Sequence, residues 1–351
     1  MPRVKFGGGS AASRAAGAPG GSHLSWQARG FAVSSDRAEG SGRGVFAGDF
    51  RNRARPMGKI IWLASYPKSG NTWLRAFLHN FLRNPEEAYD LNRMDEYSLG
   101  DSAGIFYQKF LRKPVKEMTD EEVMILRPKV QEMHMRSTPD NVFVKTHNAL
   151  VQYLDRPMIS MEHTAAAIYV VRNPLDVLVS HADHYGLSID ESIDVMNSPN
   201  AKANSGPHSV FELQCSWSRH VESWTGQPHR ALHVMRYEDL HLRPLETFSG
   251  LVSFLGLPLE RDRLRRAIEL SSFKTLRKLE EEHGFRERST SQERFFREGK
   301  AGGWRDKLSR AQVETMVAVN EAEMRRFGYW PIKDWKPEAR PAGAQAPASR
   351  A

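Results

Sequence analysis

Three cations and one histidine stand where an anion could be held and a proton removed. Lys68 lies in SYPKSGNT, Lys145 and His147 close NVFVKTH, and Arg172 follows AAAIYVV. Each comes directly after a short apolar run with the character of a buried parallel strand. Ligands of open parallel sheets bind at the carboxyl ends of the strands, so these tips would meet along one edge. Turn amides and a helix N-terminus hold anions through their N–H dipoles, and Lys68 adds a full charge. Histidine titrates in the range that suits a general base near neutrality, and arginine offers a phosphate two parallel donors. Such a set suits transfer of a charged group, with fixed cations stabilising charge on the departing oxygen.

The elements that must position these residues can be traced along the chain. In KIIWLASYPKSGNTWLRAFLHNFL, residues 60–64 predict a buried strand and 65–72 a turn. Trp73, Leu74, Phe77, Leu78, Phe81 and Leu82 then fall on one helical stripe. Lys68 precedes Ser69 and Gly70, which is not the Gly-Lys-Ser/Thr order of a Walker loop. Residues 84–108 are polar and turn-rich. Thr119, followed by three acidic residues, opens a capped helix. Strands are expected over 142–144 and 166–171, with Pro174 starting a helix that carries Ser180 two turns along. Residues 188–209 read as a loop or lid, 211–224 as an amphipathic helix, and ALHVMRYEDL as a fourth strand ending at Tyr237. Helices follow over 242–255, 261–270 and 310–327. The alternation predicts an α/β fold with a mainly parallel sheet.

Composition narrows the partners. Of 50 Lys/Arg and 42 Asp/Glu, residues 1–57 hold nine and three, so the +8 net charge leaves only +2 on the rest. A nearly neutral folded part does not suit a long polyanion, and no nucleic-acid partner is expected. Cys215 is the single cysteine, which excludes an internal disulfide and a thiolate metal cluster. No apolar run approaches the length of a membrane span, and a cytoplasmic protein away from membranes is expected. Residues 1–57, rich in Gly, Ala, Ser and Arg, read as a disordered tail or as sequence ahead of a start at Met57, with a transit peptide as the alternative. One domain is expected over 58–335, with a second disordered tail over 336–351.

YPKSGNTW resembles the phosphosulfate loop of the sulfotransferases that use 3′-phosphoadenosine 5′-phosphosulfate (PAPS), which usually reads YPKSGTTW, so Asn71 departs at one position. VFVKTH, VVRNPLDVLVS, RYEDL, SSF and FFREGKAGGW follow in the order of that family, and the resemblance covers about 58–330. It implies a P-loop NTPase-like sulfotransferase fold, with PAPS as co-substrate, 3′-phosphoadenosine 5′-phosphate (PAP) as product and no metal. It implies that Lys68 meets the bridge oxygen and that Ser69, Gly70, Asn71 and Thr72 bind the 5′-phosphate. His147 would be the general base, assisted by Lys145. Arg172 and Ser180 would bind the 3′-phosphate, with Arg297 and the backbone of Glu298 and Gly299 closing over it. The family usually has Lys where Glu298 stands. Trp73 and Phe273 would sandwich the adenine, Tyr237 would hydrogen-bond it, and Ser271, in place of a family Thr, would touch the nucleotide.

The expected reaction moves the sulfuryl group to a hydroxyl or amine of a small-molecule acceptor. The alternatives are a phosphotransferase, which lacks a Walker lysine and an evident magnesium carboxylate here, and a non-catalytic nucleotide-binding relative. His181 and His184, three apart on a helix, read as surface or acceptor-pocket residues, and Trp304 as structural. Of the dimer motif of many cytosolic members only Glu314 has a counterpart, so the resemblance does not carry that mode of dimerisation.

Overall fold

Strand β1 (Ile60–Ser65) is buried along its whole length, with Ile60, Trp62 and Ala64 facing one core and Ile61 and Leu63 the other. That is the two-residue alternation of a strand covered on both faces, which is why its sequence is a continuous apolar run. The computed structural model describes residues 58–332 apart from Glu298. The expectations for 1–57, for 336–351 and for Glu298 lie outside the described residues.

Four further strands join β1: β2 (Ser98–Gly100), β3 (Val142–Thr146), β4 (Thr164–Val171) and β5 (Leu232–Arg236). All pairings are parallel, in the order β2-β3-β1-β4-β5. The mainly parallel sheet expected from sequence is therefore present. From β1 the chain lays strands first on one side and then on the other, so the crevice of the sheet opens at the carboxyl end of β1.

Helix α1 (Asn71–Arg83) packs Leu74, Phe77, Leu78 and Phe81 on one face of the sheet. On the other face lies α2 (Asp120–Met135), opened by a full capping box between Thr119 and Glu122. Helix α3 (Pro174–Tyr185) starts at its proline as expected. The segment read as a loop contains α4 (Ile189–Asn197), opened by a second capping box between Ser188 and Glu191, and a two-residue strand, Lys202–Ala203, paired with Glu212–Leu213. The helix expected from residue 211 begins instead at Trp217, as α5 (Trp217–Thr225), with Ser216 as its cap. The fourth expected strand ends one residue early. Tyr237 opens α6 (Tyr237–Leu242), which swings its ring out of the sheet and into the crevice. Then come α7 (Pro244–Phe254), α8 (Arg261–Leu270), α9 (Phe273–His283) and α10 (Arg310–Arg326).

β2 was not legible because it lies within 84–108, a stretch rich in turn residues. It is secured from beyond its end by the fully buried Asp101. That carboxylate accepts from Arg127 of α2 (2.8 Å), Gln131 (3.0 Å) and Asn148 (2.9 Å), the last just past the tip of β3. Arg127 also donates to the carbonyl of Phe211 (3.0 Å). A charge pair without water persists only when its remaining polar atoms are satisfied, as most are here.

Candidate active site

The turn after β1 takes a shape few sequences allow. Lys68 has φ 64° and Gly70 φ 105°, both in the left-handed region where a side chain is disfavoured. A Cβ on Gly70 would stand 2.6 Å from the ring of Tyr237. Gly70 begins α1 without a side-chain cap, leaving the first amides of the helix turned to the crevice. The side-chain amide nitrogen of Asn71 donates to the carbonyl of Leu63 (2.8 Å) and ties the helix to β1, while its side-chain oxygen has no partner among the described residues. Ser69 is buried, and its hydroxyl is a polar atom without a partner among the described residues.

Lys68, Lys145, His147 and Arg172 line one cavity of about 270 Å³ together with Gly70, Asn71, Thr72, Trp73, Ser180, Tyr237, Phe273, Arg297 and Gly299. Lys68 Nζ lies 3.9 Å from the centre of the Phe295 ring and 3.3 Å from His184 Nδ1. Burial lowers its pKa to about 7; Glu287 opposes the shift, while Arg172 and Arg297 add to it.

His147 stands past the tip of β3 with Nδ1 2.8 Å from the carbonyl oxygen of Ser65. A carbonyl only accepts, so Nδ1 carries the proton and Nε2 keeps its lone pair. Burial, helped by the charge of Lys145, lowers the histidine to about 3, so the imidazole is neutral. Its carbonyl in turn accepts from His220 Nε2 (3.2 Å), and Tyr169 Oη sits 2.8 Å from His220 Nδ1. The base position is thus fixed from both sides.

Arg172, just past the end of β4, donates to the carbonyl of Lys68 (2.8 Å) and lies 4.2 Å over the ring of Tyr237. Its Nε is buried and has no partner among the described residues. Arg297 pairs with Asp183 of α3 (3.1 Å), one turn beyond Ser180. Asp176, also on α3, accepts from the amides of Gly302 (2.7 Å) and Trp304 (3.2 Å), which fastens the last loop over the cavity. Trp73 meets Tyr237 edge to face at 5.6 Å, and its buried indole nitrogen has no partner among the described residues. Gly299 has φ 59°, and a Cβ there would lie 2.4 Å from the Phe273 ring.

Two expected residues are placed away from the cavity lining. Ser271 is fully buried at the end of α8, its hydroxyl donating to the carbonyl of Ala267 (2.7 Å). Ser69 turns inward as described. His184 lines the cavity, whereas His181 lies 3.1 Å from the Ser192 hydroxyl. Trp304 is buried among the core residues.

Sequence reasoning missed Glu287, Glu212, Asp183 and Arg75. Glu287 lines the cavity and pairs with Arg75, which is buried in α1 and also holds Ser98 Oγ (2.7 Å) and Asp95 (3.0 Å). Although burial favours the acid form of Glu287, the charges of Arg75 and Lys145 hold it well below the usual carboxylate range. Nothing local marks Glu287 in a stretch crowded with charges. Arg75 had a faint signal, as a cation one turn along the helix that the loop opens. Lys145, Glu212 and Glu287 also line a second chamber of about 360 Å³.

The family model described as "Sulfotransferase domain" matches residues 59–328. The chain is 25% identical over 293 residues to Cytosolic sulfotransferase 1 of Arabidopsis thaliana, covering 79% of this chain and 82% of that protein. It is 25% identical over 269 residues to Sulfotransferase 1A1 of Bos taurus, covering 74% and 81%. Among solved structures it is similar to mouse sulfotransferase SULT7A1 complexed with PAP (TM-score 0.51, 18% identity, 76% of this chain and 85% of that one). It is also similar to retinol dehydratase in a complex with retinol and PAP (TM-score 0.53, 19% identity, 77% and 83%). With a family match that spans most of the chain, and the expected loops meeting at one sheet edge, the chain belongs to the sulfotransferase family.

Proposed function

We propose that this enzyme transfers the sulfuryl group of PAPS to a hydroxyl or amine of a small-molecule acceptor, with His147 as general base. The observation that carries the reading is the His147–Ser65 bond. It leaves one imidazole lone pair free in the same cavity as Lys68, Lys145, Arg172 and Arg297. The cavity also fits a doubly phosphorylated adenosine on its own terms. Arg172 Nε and Trp73 Nε1 are buried donors without partners among the described residues, and Gly70 and Gly299 leave room where any side chain would intrude.

In this reading His147 Nε2 takes the acceptor proton as the acceptor atom bonds to sulfur and the bond from sulfur to the bridge oxygen breaks. Lys68 donates to that oxygen as charge builds on it, and Lys145 counters charge on the sulfuryl oxygens. The uncapped amides of α1 and Thr72 hold the 5′-phosphate, Arg172, Ser180 and Arg297 the 3′-phosphate, and Trp73 and Phe273 the adenine. No metal is called on in these steps. Residues 58–335 form the catalytic unit in this proposal. We place the enzyme in the cytoplasm, a proposal supported by its similarity to cytosolic relatives; among the described residues no helix is long and apolar enough to cross a membrane.

His147→Ala is expected to lower transfer by about three orders of magnitude or more, while PAP affinity measured by calorimetry stays within about threefold. Arg172→Ala should instead weaken PAP about tenfold or more before it affects turnover. ATP binding more tightly than PAP would overturn the proposal in favour of a phosphotransferase.

A further inference from the structure

The peptide bond between Ser65 and Tyr66 ends β1 and opens the turn that carries Lys68. Both of its polar groups lead to His147. The Ser65 carbonyl accepts the Nδ1 proton of His147 directly (2.8 Å). The Ser65 hydroxyl is farther from that nitrogen, at 3.4 Å, and accepts from Asn71 Nδ2 (3.4 Å). On the other side of the bond, the Tyr66 N–H donates to the hydroxyl oxygen of Tyr169 on β4. His220 of α5 joins the two paths. Its Nε2 lies 3.2 Å from the His147 carbonyl, which only accepts, so Nε2 carries the ring proton and Nδ1 the lone pair. Tyr169 Oη, 2.8 Å from that Nδ1, therefore donates to it. The bonds close a ring that runs from the Ser65–Tyr66 peptide through Tyr169, His220 and His147 and back to the same peptide. Every donor in it meets an acceptor, and the two imidazoles are held in opposite tautomers. Tyr169 and His220 are wholly buried, and neither lines the cavity. The charged groups around His147, which are Lys68, Lys145 and Glu287, stand on the cavity side.

Packing alone does not call for such a ring. Phenylalanine and leucine would fill the same space without taking a hydroxyl and an imidazole out of water. A buried polar network with every member satisfied instead fixes one arrangement where apolar contacts tolerate several. The chain beyond His147 already has its own anchors on α5. Trp224 Nε1 donates to the carbonyl of Asn148 (3.0 Å), and Ser223 Oγ accepts from the N–H of Leu150 (3.0 Å). What the ring adds is the orientation of the His147 peptide and imidazole relative to the turn of Lys68. Resting on the sulfuryl-transfer reading, we propose that Tyr169 and His220 are positioning residues that hold the general base and the lysine-bearing turn as one unit. In that reading the acceptor atom faces His147 Nε2 and the departing bridge oxygen faces Lys68, with sulfur between them. In-line displacement tolerates little misplacement of either end. Tyr169 and His220 touch neither donor nor acceptor and act through His147.

The full chain is compared with its Tyr169→Phe, His220→Gln and His220→Leu variants. PAP is titrated by calorimetry, and transfer from labelled PAPS is measured to the fastest-sulfated member of a panel of phenols, sterols, sugars and amines. Tyr169→Phe deletes one hydroxyl and should lower kcat about tenfold or more, with PAP affinity and acceptor KM within about twofold. His220→Leu should lower kcat at least as far. His220→Gln, whose Nε2 still reaches the His147 carbonyl as a donor, should recover most of the rate. In a His147→Ala background Tyr169→Phe should cost less than about twofold more, because the group it acts through is gone. Magnetic resonance of isotope-labelled histidine gives a readout that needs no acceptor: Tyr169→Phe should shift the Nδ1–H signal of His147 along with the signals of His220. An unchanged kcat in Tyr169→Phe, a full-sized loss in the His147→Ala background, or PAP affinity falling in step with the rate overturns the inference. So does a His147 signal that ignores Tyr169→Phe. In those cases the nucleotide reading stands. Failure of the wild-type chain to bind PAP overturns both.

Discussion

His147 gives its ring proton to the carbonyl of Ser65 and sits with a pKa at about 3, so it needs no deprotonation step to act as a base. The acid limb of the rate profile should therefore not fall near the ordinary histidine value, and kcat/KM measured down to about pH 5 should show no imidazole titration. Lys68 behaves in the opposite way. Burial holds its free-enzyme pKa at about 7 instead of 10.5, and an arriving phosphate raises it again. Between those limits the bound form holds more protons than the free form. PAP binding at about pH 8.5 should take up a proton, read by calorimetry in buffers of different ionisation enthalpy, and affinity should decline as pH rises through about 7. Lys68→Met should abolish the uptake. In the unliganded protein the same group adds stability as pH climbs from about 7 toward 10.5, because the unfolded lysine then holds the extra proton.

At the scale of elements, two devices set the site. One is the turn before α1, where Gly70→Ala would meet both a φ of 105° and the Tyr237 ring. Strain of about 1–3 kcal/mol is expected there, with the displaced ring carrying Arg172 along, so PAP affinity should fall about tenfold or more by calorimetry. The other is the Asp101–Arg127 pair that joins β2, α2 and the tip of β3. Asp101→Ala leaves a buried guanidinium without its carboxylate and should cost about 3–5 kcal/mol in denaturant unfolding. Sequence reasoning read the first device directly, because a loop of this kind is local. It missed the second because β2 is three residues long and its anchors, Asp101, Arg127 and Asn148, lie far apart in the chain. The reading of 188–209 as a loop failed differently. Ser188 and Glu191 spell a capping box, a local signal outweighed by the polar residues around it. Tyr237 was placed rightly at a sheet edge, but as the end of a strand rather than the start of a helix.

For the molecule as a whole, the cavity is assembled from segments around 67–73, 145–147, 172–185 and 295–304, brought together because β1 is the middle strand. PAP should therefore protect all four from amide exchange together, and at one hundred times its Kd should stabilise the protein by about 2.7 kcal/mol. Protection confined to 67–73 would contradict a shared hollow. The half of the cavity proposed to hold the nucleotide was legible because its residues sit in short blocks. Glu212, Glu287 and His184 were not, since they gain their place only from the neighbours that folding gives them.

The second chamber is walled largely by 95–106 and 208–212, stretches that contribute none of the side chains proposed to grip PAPS. The proposed grip on the donor and the shape of this chamber are thus separately heritable. A lineage could exchange those two stretches and reshape the chamber, while the proposed sulfate source and the way it is held pass unchanged from parent to descendant.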